Sequence, residues 1–218
     1  MLKIKVKNKE LAFIILIGGR SNRFGTDKCF FEFKGKALIE HQLDVLTQFP
    51  YSIFIVANSK EQIKNCLNKI NFEKIMAFII DETDILDKNF RSAMLGLYSA
   101  FKELRILGYQ KAFALSCDNP LIKYEVIDYM IKECKNYECC IPRWNSGFLE
   151  PLFAIYPIEK AYKSSIKNLE KRRFKLVNLI SDTWKTNYVS IDDTLKKMDL
   201  NLMSFKNINA PEDIKTLE

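Results

Sequence analysis

Leu11-Ala-Phe-Ile-Ile-Leu-Ile17 is an unbroken apolar run closed by Gly18-Gly19. Such a run, rich in Ile and ended by glycines, reads as a strand buried on both faces of a sheet. Three more runs follow at intervals: Ser52–Asn58, Met76–Ile80 ending at Asp81-Glu82, and Lys111–Cys117 ending in Asp118-Asn119-Pro120. Between them the apolar residues return at helical spacing over 37–48 (stopped by Pro50), 60–70 and about 91–107 (stopped by Gly108), and again over 123–135. Strand and helix alternate four times, which predicts an α/β fold with a mostly parallel sheet and helices on both faces. The final third is less regular. Segments 138–143, 152–156 and 188–192 read as strands, 158–169 and 173–180 as helices, and 211–218 as a terminal helix with Pro near its start.

The chain has 218 residues, 48% hydrophobic and 28% charged, the balance of one globular domain spanning 1–218 with no linker or internal repeat. Thirty-four basic against 27 acidic side chains leave +7, which suits anionic partners. The basic residues are scattered, and no recognition-helix or aromatic-basic pattern points to nucleic acid. Six cysteines without a CxxC pair, beside a single histidine, argue against a zinc site or a disulfide framework and for reduced thiols. The apolar run 11–17 is too short to span a membrane and no cleavage signal follows it. A soluble, cytoplasmic protein is expected.

In an open parallel sheet, ligands bind beyond the carboxyl ends of the strands. After the first strand stands Gly18-Gly19-Arg20-Ser21-Asn22-Arg23-Phe24-Gly25-Thr26-Asp27-Lys28. Its glycines allow backbone N–H groups to approach an anion, and Arg20, Arg23 and Lys28 add positive charge, as a polyphosphate loop needs. The spacing is neither that of a Walker P-loop nor that of a GxGxxG dinucleotide fingerprint. Asp81 and Asp118 end the third and fourth strands, where a carboxylate can hold a hard divalent cation against phosphate oxygens. Taken singly, each has a plain structural alternative, a glycine turn or an Asp-Asn-Pro turn that caps a helix. Together at one sheet edge they point to a nucleotide-binding enzyme of phosphoryl or nucleotidyl chemistry that uses magnesium.

Leu16-Ile-Gly-Gly-Arg-Ser-Asn-Arg-Phe-Gly-Thr-Asp-Lys28 resembles the signature loop of the molybdenum cofactor guanylyltransferases, MobA-like nucleotidyltransferases with the pattern LAGGxSxRMGxDK. Phe33–His41 resembles the family's GxPLIEH stretch, Ser116–Pro120 its CDxP, Glu150–Tyr156 its PLFAxY strand, and Asn207–Asp213 its closing NxNTPEDL. Ile17, Phe24 and Ala37 depart from the usual Ala, Met and Pro. The family's GPLAG appears as Ser92-Ala-Met-Leu-Gly96, so the loop before it is expected to close over the nucleotide differently.

The resemblance implies a three-layer Rossmann-like nucleotidyltransferase fold with a mostly parallel, mixed sheet. Its nucleotide-binding part would lie at about 11–122 and its acceptor-binding part at about 123–218. It implies transfer of GMP from GTP to molybdopterin carrying molybdenum or tungsten, with release of pyrophosphate and with Mg²⁺, or Mn²⁺ in its place, as cofactor. By the same resemblance Leu16 and Ile17 line the base, Gly18 and Gly19 donate to the triphosphate, and Arg23 adds a cation. Lys28 and Asp118 are the catalytic pair, Lys28 on the phosphates and Asp118 on the metal, while Asp81 contacts the nucleoside. Asn58 lies within two positions of a family residue that contacts nucleotide. Asn207 and Asn209 face the acceptor; their structural alternative is an Asx turn. Other proteins of cofactor biosynthesis and the recipient molybdoenzymes would be transient partners.

Lys171-Arg172-Arg173 could meet the acceptor phosphate, although basic residues at a helix end are more often solvated. For His41, Trp144 and Trp184, packing outranks a role in chemistry. Two other readings stand beside the first. One is a sister nucleotidyltransferase, moving a cytidylyl group to molybdopterin or a nucleotide to a sugar phosphate or cobinamide. The other is a non-catalytic nucleotide-binding relative.

Overall fold

The first apolar run is an interior strand of the sheet. The computed structural model describes residues 8–18, 28–71, 73–86, 90–208, 210 and 213. Among the described residues the strands are β1 Leu11–Leu16, β2 Glu32–Phe33, β3 Lys36–Ala37, β4 Ser52–Ala57, β5 Ala77–Ile80, β6 Lys111–Ser116, β7 Cys139–Arg143, β8 Phe153–Pro157 and β9 Thr186–Ser190. The α-helices among them are α1 Leu38–Leu46, α2 Lys60–Lys69, α3 Ala93–Ile106, α4 Tyr124–Glu133 and α5 Ile158–Glu170. Seven strands form one sheet in the order β5-β4-β1-β6-β8-β7-β9. β5, β4, β1 and β6 are parallel, β8 runs antiparallel to both neighbours, and β9 is parallel to β7.

Alternation along β1 divides the core into two layers. Phe13, Ile15 and Ile17 pack with Ile39, Leu43 and Leu46 of α1, Cys66 of α2, and Val126, Ile127 and Met130 of α4. Ala12, Ile14 and Leu16 pack on the other face with Met94, Leu97 and Phe101 of α3 and Ala161 and Leu169 of α5. The result is the three-layer α/β fold with a mixed, mostly parallel sheet. All six cysteines are buried free thiols. Among the described residues no helix is long and apolar enough to cross a membrane.

Three details differ from the sequence expectation. Segment 173–180 forms only a short 3-10 turn, Leu176–Leu179, because the chain reverses at Arg172 (φ +52°) directly after α5. The last strand lies two residues earlier than expected, at Thr186–Ser190, its register set by pairing with β7. The β2–β3 hairpin had no counterpart, since strands of two residues are shorter than any periodicity. Its turn is Lys34-Gly35, both at positive φ (+48° and +76°), the pair a tight two-residue hairpin requires. The expected terminal helix falls outside the described residues except for Asp213.

Candidate active site

From β1 the chain moves outward through β4 to β5, then returns to the other side of β1 as β6. The strand order reverses between β1 and β6, the place where parallel sheets leave a crevice beyond their carboxyl ends. Because β1, β4, β5 and β6 are parallel, Gly18, Asn58, Asp81 and Asp118 all emerge at the same rim. The backbone closes this rim tightly: Cys117 N–H donates to the Leu16 carbonyl (3.1 Å), and Ile17 N–H donates to Val56 (3.0 Å).

Two buried glutamines complete it, and the sequence reading did not single them out. Gln42 of α1, fully buried, donates its amide to the carbonyls of Ser116 and Asn119, both at 2.7 Å, and so fixes the turn that carries Asp118. Gln62 of α2 donates to the Ile17 carbonyl (3.1 Å) and accepts from Asn58 N–H (2.9 Å), joining the ends of β1 and β4. The signal in the sequence was an amide on the apolar face of an amphipathic helix, where only a hydrogen-bonded polar group is tolerated.

Lys28 and Asp118, 90 positions apart, form an ion pair with Nζ 3.0 Å from Oδ1. The Lys28 side chain is only 12% exposed, while the Asp118 carboxylate, at 35%, remains open to solvent. The Cys117 thiol faces the same carboxylate oxygen at 3.7 Å, and burial next to that charge pushes its pKa well up, keeping it protonated. The closing segment arrives here too. Ile208 N–H donates to the Asp118 carbonyl (2.9 Å), and its side chain packs with Phe33 and Leu38. This places exposed Asn207 one residue from the Asp118 turn.

A cavity of about 300 Å³ opens at the same sheet rim, walled by Leu16, Gly18, Val56, Asn58, Asp81 and residues 90–93 with Gly96. Gly96, on the first turns of α3, allows the helix to approach: a Cβ there would lie 3.2 Å from Leu16 Cδ2 and 3.4 Å from Asp81 Oδ1. Burial raises the Asp81 carboxyl to a pKa of about 6, partly opposed by the Arg91 guanidinium. Among the described residues no hydrogen-bond donor meets that carboxylate. A half-buried acceptor at a cavity wall suits a ligand hydroxyl or N–H. Leu16 contributes its side chain to the cavity, whereas the carbonyls of Leu16 and Ile17 each already accept a hydrogen bond.

The structure therefore brings Leu16, Ile17, Gly18, Lys28, Asp81, Asp118 and Asn207 to one rim, and Asn58 joins them. Gly19, Arg23 and Asn209 lie outside the described residues. Elsewhere, His41 holds the Phe33 carbonyl (2.8 Å), Trp144 donates to Glu150 (2.7 Å) and Trp184 is buried, all packing roles.

For a divalent cation the donor set is sparse. Among the described residues no three His, Cys, Asp or Glu side chains cluster tightly enough to hold a metal. The open Asp118 carboxylate fits a magnesium ion that takes its remaining ligands from substrate phosphates and water, the usual arrangement for that ion.

Residues 13–182 match the model of the MobA-like NTP transferase domain. The chain is 32% identical to a probable molybdenum cofactor guanylyltransferase of Pyrococcus horikoshii, over 94% of this chain and 97% of that protein. It is 31% identical to a protein of the same name from Natranaerobius thermophilus, over 93% and 92% of the two chains. Among solved structures it resembles molybdopterin-guanine dinucleotide biosynthesis protein A from Archaeoglobus fulgidus. That match has a TM-score of 0.73 at 26% identity and covers 95% and 96% of the two chains.

Proposed function

The chain belongs to the MobA-like NTP transferase family, and on that premise we propose that it transfers GMP from GTP to molybdopterin carrying molybdenum or tungsten. The observation that carries this reading is the Lys28–Asp118 pair, 3.0 Å apart at the sheet rim where Asp81 also emerges.

In the proposed reaction an oxygen of the terminal pterin phosphate forms a bond to the α-phosphorus of GTP. The bond from that phosphorus to the α–β bridging oxygen breaks, and pyrophosphate leaves. The nucleophile is already anionic, so no general base is required. The protein's contribution is alignment and charge neutralisation. Lys28, paired with Asp118, would offer a compact ammonium to the triphosphate. Asp118 would hold Mg²⁺, or Mn²⁺, which supplies neutralisation of phosphate charge. Gly18 and Gly19 would give N–H groups to the phosphates, with Arg23 as a further cation. Asp81 would accept from the nucleoside and Leu16 would pack against the base. Asn207, one residue from the Asp118 turn, would contact the acceptor together with Asn209, in keeping with a nucleotide-binding part at 11–122 and an acceptor-binding part at 123–218. With such water-soluble substrates, the reaction belongs in the cytoplasm.

The test is pyrophosphate release with metal-loaded pterin and GTP, CTP or ATP supplied separately. GTP is expected to support turnover far better than the other two. Turnover with CTP alone would overturn the choice of guanine, and release with none of the three would overturn the enzyme reading.

A further inference from the structure

α3 and α5 lie side by side and antiparallel on one face of the sheet. Arg105 meets Glu159 (3.7 Å) at one end, the Tyr98 and Tyr162 rings stack at 5.7 Å along the middle, and Phe90 meets Phe174 at the active-site end. Phe90 walls the cavity that holds Asp81, whereas Phe174 belongs to the chain after α5 and is not part of that wall. Their ring centroids are 4.4 Å apart at an interplanar angle of 38°.

Phe174 stands on a firm mount. Arg172 N–H donates to Leu169 (3.0 Å) and Arg173 N–H to Asn168 (2.8 Å), with Arg172 at φ +52°, a Schellman ending that fixes the direction in which the chain leaves α5. Beyond it, buried Asn168 donates to the Asn178 carbonyl (2.9 Å) and Ser164 to the Leu179 carbonyl (2.8 Å), tying the segment back onto the helix. On the Phe90 side, its carbonyl accepts from Arg91 of the same segment (2.7 Å), and the Ser92 hydroxyl caps α3 by accepting from Leu95 N–H (3.2 Å).

We propose that Phe174 is a positioning residue for nucleotide binding: its ring, fixed on the end of α5, braces Phe90 and thereby sets the wall of the nucleotide cavity. This rests on the nucleotide reading of that cavity and adds a determinant of affinity from the acceptor half of the chain. Displacing a cavity wall by a fraction of an ångström weakens every contact it makes, while the reacting groups at Lys28 and Asp118 stay where they are.

The test is GTP affinity by calorimetry with Mg²⁺, together with steady-state kinetics. Phe174→Ala is expected to raise the Kd and KM for GTP about five-fold or more, the scale of a lost aromatic pair and its packing, with kcat within about two-fold. Phe174→Tyr, which keeps the ring, should restore wild-type affinity. Tyr162→Ala opens the same helix interface without touching Phe90 and should lower thermal stability with GTP affinity unchanged. Wild-type affinity in Phe174→Ala overturns the proposal, as it does in Phe174→Leu should the Ala variant not fold. Equal loss of affinity in Tyr162→Ala overturns it as well, by making the effect one of general stability. Failure of the wild-type protein itself to bind GTP would strike the nucleotide reading instead, and the inference with it.

Discussion

At the scale of single residues, the site depends on charges placed where water is scarce. Lys28 is nearly buried against Asp118, whose carboxylate stays open to solvent, so the pair presents one withdrawn and one accessible charge. Lys28→Ala is expected to lower kcat by about two orders of magnitude or more, the usual cost of losing one preorganised charge from phosphoryl chemistry, with the fold retained by circular dichroism. Asp118→Asn keeps the shape but removes the negative charge of the donor, so the magnesium concentration for half-maximal rate should rise steeply in a metal titration. Asp81 makes a different demand. Burial lifts its carboxyl from 3.8 to about 6, opposed only in part by Arg91. The folded protein therefore holds this proton more tightly than the unfolded chain, and stability falls as pH rises from about 4 to about 6. Above that range the charged group costs the fold up to about 3 kcal/mol. Asp81→Asn should accordingly raise the thermal midpoint at pH 7 while weakening GTP binding, and wild-type binding should strengthen as pH rises through 6. Asp81 and Asp118 were legible in the sequence because each follows an apolar run directly, and Lys28 because it closes the glycine-rich loop after the first run. Gln42 and Gln62 were not, because their partners are backbone carbonyls and an N–H on other elements.

At the scale of elements, periodicity located every helix of nine residues or more and every strand of the main sheet to within a few positions. Its failures share one cause. Segment 173–180 carries helical spacing, but its backbone is turned by the Schellman ending at Arg172 and its carbonyls are taken by Ser164 and Asn168. The β2–β3 hairpin is too short to show a period, yet it follows Lys28 directly and buries Phe33 against Leu38 and Ile208. Arg172 itself occupies a left-handed position where a side chain costs about 1 kcal/mol and glycine nothing. Arg172→Gly should raise the thermal midpoint by about 1–3 °C after the added freedom of the unfolded chain is counted, while Arg172→Ala should bring no gain. Equal midpoints for the two variants would show that the backbone there is not strained.

At the scale of the whole molecule, segment 199–208 ties back to the start of α4 and to the Asp118 turn. Asp199 is fully buried, accepts from Ser204 N–H (2.7 Å) and pairs with Lys123 at the start of α4 (3.0 Å). A few residues on, Ile208 reaches the Asp118 carbonyl. Burial works to raise the Asp199 pKa, but the Ser204 hydrogen bonds and Lys123 outweigh it and hold the carboxyl below its usual 3.8. A lowered pKa in the fold means stability that is present above pH 4 and lost as pH falls. Asp199→Ala leaves a buried N–H without an acceptor and should cost about 2 kcal/mol, or about 4–8 °C in the thermal midpoint. The difference from wild type should shrink below pH 4. By itself, the order of apolar runs determined the alternating α/β architecture and the chemistry at the strand ends, because burial of a central strand and the turn residues after it are local demands on neighbouring positions. Only the tertiary structure decided that β8 runs against its neighbours, that Lys28 meets Asp118 across 90 positions, and that Phe174 braces Phe90. Those outcomes depend on which surfaces are left to pack once the sheet has formed, and that competition among distant parts of the chain leaves no mark at any one place along it.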